Sequence, residues 1–277
     1  MLNQNDHSRD SAGLTYVYPV VSRRAGGVSI GINLNVNNAC NWACIYCQVP
    51  DLTRGGPPPI DLKQLEAELR TFLHDATEGD FLVREAPPEA RRLMDVAFSG
   101  NGEPTSAAEF DEAVALVEKV LREFNLLDTL KLRLITNGSL LHRDAVRKGV
   151  ARIGALNGEV WFKIDSATDD GMARINGIRL APERVEAALL ACAELAPTWV
   201  QTCYFAFDGQ EACDEEQAAY LKLIGSARQK IKGVHLYGLA RPSLQPDAQR
   251  LSNLPHERFQ RFADRISALG VEVVANP

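Results

Sequence analysis

Cys40, Cys44 and Cys47 stand in the run Ala39-Cys-Asn-Trp-Ala-Cys-Ile-Tyr-Cys-Gln48, a C-x3-C-x2-C cluster whose last cysteine follows an aromatic residue. Cysteine thiolate is the usual ligand of iron–sulfur clusters, and three thiolates this close can hold three irons of one cubane. The fourth iron then keeps an open position, where a reagent can coordinate the metal and accept an electron. A zinc site would normally close four ligands with a second cysteine pair or a histidine pair. Here His7, His74, His142, His235 and His256 are isolated, so zinc would have to recruit a distant ligand. Six cysteines in 277 residues are too few for a disulfide framework.

A second stretch with chemical potential is Phe98-Ser-Gly-Asn-Gly-Glu103-Pro-Thr105. Gly100 and Gly102 permit a sharp turn that exposes backbone amide and carbonyl groups to a ligand. Glu103 can accept a hydrogen bond from an ammonium group, and Asn101 lies between the two glycines.

The elements that must position these residues follow a βα rhythm. Strands are expected at Val28 to Asn33, Met94 to Phe98, Leu130 to Thr136, Val160 to Ile164, Val200 to Phe205 and Gly233 to Tyr237, with a short last one at Val271 to Val274. Between them, apolar residues recur at helical spacing. Leu62, Leu65, Leu69, Phe72 and Leu73 follow a capping Asp61, and Phe110, Val114, Val117 and Leu121 follow a Ser106/Glu109 capping box. Thr77 to Arg92 reads as a loop.

Along each strand, apolar side chains alternate with a second set. That set includes Ser29, Asp95, Arg133, Lys163, Asp165, His235 and Tyr237. A closed eight-stranded barrel fills its interior with branched apolar side chains, whereas this interior is charged. It must either neutralise itself as an ion network or face a polar ligand. The pattern predicts an α/β fold, a partial (β/α)6 TIM-like barrel with a ligand cavity. Residues 1–26 form an N-terminal extension, 27–242 the barrel, and 243–277 a helix and strand packing on it.

The two motifs together resemble those of the radical S-adenosylmethionine (SAM) superfamily. The resemblance implies a [4Fe-4S] cluster on Cys40, Cys44 and Cys47, with SAM at the open iron. Gly100, Asn101, Gly102 and Glu103 match the Gly-Gly-Glu-Pro motif that holds the methionine amino group, Asn101 standing where many members carry glycine. Tyr46 matches the aromatic beside the adenine, and Asn137, after Thr136, a position lining the SAM pocket. Lys163, Asp165 and His235 point toward the SAM carboxylate or ribose, Lys163 and His235 being the candidate catalytic pair. Tyr237 and Arg241 are candidates for an anionic substrate. A buried lysine whose pKa falls on desolvation could also serve as a nucleophile.

The implied activity is reductive cleavage of SAM to a 5′-deoxyadenosyl radical that abstracts hydrogen from a substrate. A flavodoxin- or ferredoxin-type electron donor is the implied partner. Asn35 to Pro50, Phe98 to Thr105 and Tyr237 to Pro242 are most similar to the wyosine synthase-related group, which modifies tRNA guanosine. Those enzymes hold a second cluster on N-terminal cysteines, and no cysteine precedes Cys40. The net charge of −6 supplies no field for nucleic acid, and the basic clusters, such as Arg23-Arg24 and Arg147-Lys148, are small. A non-catalytic iron–sulfur sensor is a further alternative. Of the remaining thiols, Cys192 falls on an apolar helix stripe, while Cys203 and Cys213 fall near the barrel mouth. Met1 to Ala12 carry no apolar signal region, and no membrane span is expected, so the cytoplasm is the expected location.

Overall fold

The computed structural model describes Leu2 and residues 13–22 and 26–277. His7, the rest of the polar lead and the Arg23-Arg24 pair lie outside the described residues. Eight strands form one sheet in chain order: β1 (Val17–Ser22), β2 (Gly27–Ile32), β3 (Leu93–Phe98), β4 (Lys131–Thr136), β5 (Glu159–Lys163), β6 (Thr198–Cys203), β7 (Gly233–Tyr237) and β8 (Val273–Asn276). From β2 to β8 every neighbour is parallel. The six strands β2 to β7 are the partial barrel that the βα rhythm predicts, and one face of the sheet curls around a central cavity lined by residues of β1 to β7.

β1 corrects the expected extent of the barrel. It falls within the supposed N-terminal extension, yet it pairs antiparallel with β2 from Val17 opposite Ile32 to Ser22 opposite Gly27. Its Pro19 obscures the strand in the sequence, since proline in a strand is confined to edges and bulges. The approach to β1 is secured by Glu68, a buried carboxylate that accepts the backbone N–H groups of Thr15, Tyr16 and Val17 at 3.1, 2.7 and 3.2 Å. Tyr18 then lies flat on Gly31, where any side chain would overlap its ring.

The helices are α1 (Leu62–Thr77), α2 (Phe110–Glu123), α3 (Asp144–Ala155), α4 (Asp169–Asn176), α5 (Pro182–Leu195), α6 (Asp214–Ala227) and α7 (His256–Ser267). As expected, Asp61 caps α1, accepting from the N–H groups of Lys63 and Gln64 at 3.0 Å each. The Ser106/Glu109 capping box does not form. Ser106 instead ends a 3-10 turn and donates to the Glu103 carbonyl at 2.6 Å, tying it to the Gly-x-Gly-Glu turn. The Thr77 to Arg92 stretch contains a short helix, Phe81–Glu85, and a 3-10 turn, Pro88–Ala90.

Outward strand side chains Val28, Ile30, Ile32, Phe98, Leu134, Phe162, Val200 and Leu236 are fully buried beneath the helical layer. Each such side chain contributes about 1.5–3 kcal/mol on burial. This leaves the inner face free to be polar.

Candidate active site

The cysteine loop leaves β2 at Asn33 and is held from three directions. Asn33 Oδ1 accepts from the N–H groups of Asn35 and Asn101 at 3.1 Å each, so one side chain joins the cysteine loop to the Gly-x-Gly-Glu turn. Asn35 Nδ2 donates to the Ala39 carbonyl at 2.9 Å. On the opposite side, Ala43 N and Ile45 N donate to the carbonyls of Asn176 and Ile175 at the end of α4. A strap after β7 completes the support: Leu244 N donates to the Cys47 carbonyl at 3.0 Å, and Ser243 Oγ to that of Ile45 at 2.7 Å.

All three cysteines therefore stand on the cavity rim, half-buried. Burial pushes the Cys40 thiol up to about 11 and, helped by the Asp165 carboxylate, that of Cys44 to about 12. Among the described residues, no three Cys, His, Asp or Glu side chains converge on one ion position.

The Gly-Asn-Gly-Glu turn packs backbone to backbone against this loop. A methyl group at Gly102 would overlap the Ala39 carbonyl and the Asn35 amide, and Gly100, at φ 143°, faces the Asn33 side chain. Glu103 is buried, and its Oε1 accepts from Thr105 Oγ1 and Thr136 Oγ1 at 2.6 Å each, and its Oε2 from Asn137 N at 2.7 Å. Burial raises its pKa, against the pull of these donors. One lone pair of Oε2 remains for a cationic ligand. Asn137 Nδ2 in turn donates to Asn41 Oδ1 at 2.9 Å, closing the rim beside Cys40.

Lys163 on β5 donates to Tyr237 Oη at 2.8 Å, and its ammonium sits 5.0 Å from the ring centre of Tyr46. Burial works to lower its pKa, but the Asp165 carboxylate, Tyr237 and Cys44 outweigh it and hold the ammonium above its ordinary value. That direction is opposite to the lowered pKa a neutral lysine nucleophile requires. Lys163, Tyr237, Tyr46 and Arg241 all line the cavity.

Two expected site residues stand elsewhere. Asp165 does not line this cavity; it accepts from Tyr46 Oη at 2.5 Å, Asn176 Nδ2 at 2.8 Å and Cys203 N at 2.9 Å. Its oxygens take donors from the cysteine loop, α4 and β6. His235 is not among the cavity-lining residues; it is stacked on Trp199 at 4.5 Å and lies 4.8 Å from Trp161. Cys192 is buried in α5 and Cys213 is exposed before α6, while Cys203 lines the cavity wall.

The floor consists of residues whose pairing the sequence left open. Arg133 bridges Asp95 and Glu159, the latter at 2.7 Å, and Ser29 donates to Asp95. Trp161 Nε1 donates to Glu159 at 3.0 Å under the Arg133 guanidinium. Thus the polar interior is an ion network at the floor and an open cavity of about 330 Å³ above it. Sequence reasoning missed Gln201, Trp42 and Tyr18 as cavity residues. The period-two alternation of β6 marks Gln201 as inward-facing, but Trp42 gives no such signal.

The profile of the Radical SAM superfamily matches residues 34–221, the segment from the cysteine loop into α6. The chain belongs to the radical SAM superfamily. It is 26% identical over 162 residues to a UPF0026 protein of Synechocystis sp., covering 58% of this chain and 52% of that protein. A UPF0026 protein of Methanocaldococcus jannaschii is 28% identical over 158 residues, 57% of this chain and 42% of that one. The match spans about half, or less, of the length of these curated relatives. In fold, the chain is similar to a radical SAM methyltransferase from Sphaerobacter thermophilus, with a TM-score of 0.61 at 16% identity, over 94% of this chain and 68% of that one.

Radical SAM enzymes use a [4Fe-4S] cluster and SAM, and this radical SAM site fits both. Three cysteines share one rim, and a glycine turn that admits no side chain lies beside them. Trp42 and Asn101 line the cavity, and among the described residues Trp42 Nε1 and Asn101 Oδ1 are buried without a partner. Such buried polar atoms are normally hydrogen-bonded, and a polar cofactor beside the cysteines can satisfy them.

Proposed function

We propose that this radical SAM enzyme abstracts hydrogen from a small substrate held in the lower half of the cavity, above the Arg133 floor. The observation that carries the reading is the continuity of one cavity from Cys40, Cys44 and Cys47 down to Asp95, Arg133, Trp161 and Gln201. When bound, the cluster and SAM supply a radical formed by one-electron cleavage of SAM.

The protein's own part is position and exclusion of water. Glu103, with its remaining lone pair, would accept from the SAM ammonium beside the Gly102 backbone. Lys163, held by Tyr237, and Arg241 supply positive charge for a carboxylate. Tyr46, fixed by Asp165, would border the adenine. Trp161 and Gln201 offer the substrate an aromatic face and an amide. A flavodoxin- or ferredoxin-type donor in the cytoplasm would deliver the electron at the cysteine rim. No helix among the described residues is long and apolar enough to cross a membrane.

The finer reading, tRNA guanosine modification of the wyosine type, rests on the likeness of Tyr237 to Pro242 and of the two motifs to that group. The net charge of −6 weighs against it. Both readings are tested by measuring deoxyadenosine from the reconstituted enzyme with fractionated small metabolites and with bulk tRNA. Stimulation by a metabolite fraction alone supports the small-substrate reading, and stimulation by tRNA alone overturns it.

A further inference from the structure

Asn176, the last residue of α4, is 1% exposed and sits behind the cysteine loop. Its Nδ2 lies 3.2 Å from Cys44 Sγ and 2.8 Å from Asp165 Oδ2, so its two amide hydrogens serve a thiol sulfur and a carboxylate. The orientation of the amide is set by chemistry, because a flipped group would turn its oxygen toward two acceptors. Asp165 is itself fixed by Tyr46 Oη and Cys203 N. The Asn176 carbonyl also accepts from Ala43 N at 3.0 Å, which locks the residue to the loop it serves.

This arrangement has a cost. Among the described residues Asn176 Oδ1 is buried without a partner, and an unpaired buried acceptor destabilises a fold. Leucine has the same shape and would carry no such cost. What asparagine provides is the N–H on the sulfur.

Hydrogen bonds to the sulfurs are among the determinants of an iron–sulfur cluster's reduction potential. A donor draws charge from the thiolate and favours the more negative, reduced cluster. Building on the cluster reading above, we infer that Asn176 is a positioning residue that raises the reduction potential of the cluster through Cys44, with Asp165 orienting its amide. SAM cleavage begins with that reduction, so the bond acts on the first step without touching substrate.

The test is an EPR-monitored redox titration of anaerobically reconstituted full-length protein without SAM, comparing wild type with Asn176→Leu at equal iron and sulfide content. The expected result is about a tenfold lower reduced-to-oxidised ratio at a given poise, a shift of about 59 mV to lower potential for a one-electron couple. An unchanged or raised midpoint overturns the inference. Should Asn176→Leu fail to assemble a cluster, wild-type protein labelled with side-chain-15N asparagine decides. A 15N and exchangeable-proton hyperfine coupling on the reduced cluster is expected, and its absence overturns the inference. A wild-type protein that holds no cluster defeats the functional reading itself, which separates the two failures.

Discussion

Thr136→Val removes one donor from the Glu103 carboxylate while keeping the shape of the side chain. In the native protein Thr136 Oγ1 lies 2.6 Å from Glu103 Oε1 and also accepts from Gly138 N at 3.0 Å. A hydrogen bond to an ionised partner contributes about 1.5–3 kcal/mol, against about 1 kcal/mol between neutral groups. The destabilisation should therefore grow with pH as Glu103 ionises. Glu103 already has a raised pKa because it is buried. Its stabilising contribution is thus complete below the ordinary carboxylate range and declines as pH rises through the raised value. Losing the Thr136 donor lifts that value further and extends the decline to higher pH. Urea unfolding of the cluster-free protein across a pH series from about 4.5 to about 8 measures the difference. A cost in Thr136→Val that is roughly doubled at the high end of the series is expected. An equal cost across the series would show that Glu103 is not an ionised acceptor in this site, and the assignment of its carboxylate to the SAM ammonium would fall with it.

Gly31→Ala should force the buried Tyr18 ring off the β2 backbone and break its hydroxyl contact with Ser99, at 2.8 Å. Such overpacking costs about 1–3 kcal/mol, read as a lowered thermal midpoint. An unchanged midpoint would mean that β1 is not seated on the barrel as described. Arg133→Met leaves Asp95 and Glu159 facing each other without their shared cation; breaking a buried ion network in this way costs about 3–5 kcal/mol. Double substitution with Asp95→Asn should recover part of that loss, and no recovery would argue against the floor network.

The chemistry-bearing segments were legible because their information is local. Three cysteines within one short loop and two glycines before Glu103 declare their roles by spacing, and the alternation of Asp95, Arg133 and Lys163 with apolar neighbours reports which face of each strand they occupy. That periodicity gives the face but not the height along the strand. His235 stacks on Trp199 and is not among the cavity-lining residues, whereas Tyr237, two residues on, meets Lys163 in the cavity. Asp165 and Asn176 acquire their roles through contacts with Tyr46, Cys44 and Cys203, which are distant in sequence and invisible to any local pattern. The edge strand β1 was hidden by Pro19, and its hold on the barrel comes from Glu68, fifty or so residues away.

The central claim is that Cys40, Cys44 and Cys47 hold the cluster and that SAM binds beside it in this cavity. Anaerobic reconstitution of wild type and Cys44→Ala, followed by iron determination and a deoxyadenosine assay with SAM and dithionite, tests it most directly. Wild type should hold about four irons per chain and form deoxyadenosine, and Cys44→Ala should lose both. Equal iron content and equal deoxyadenosine from the two proteins would contradict the account.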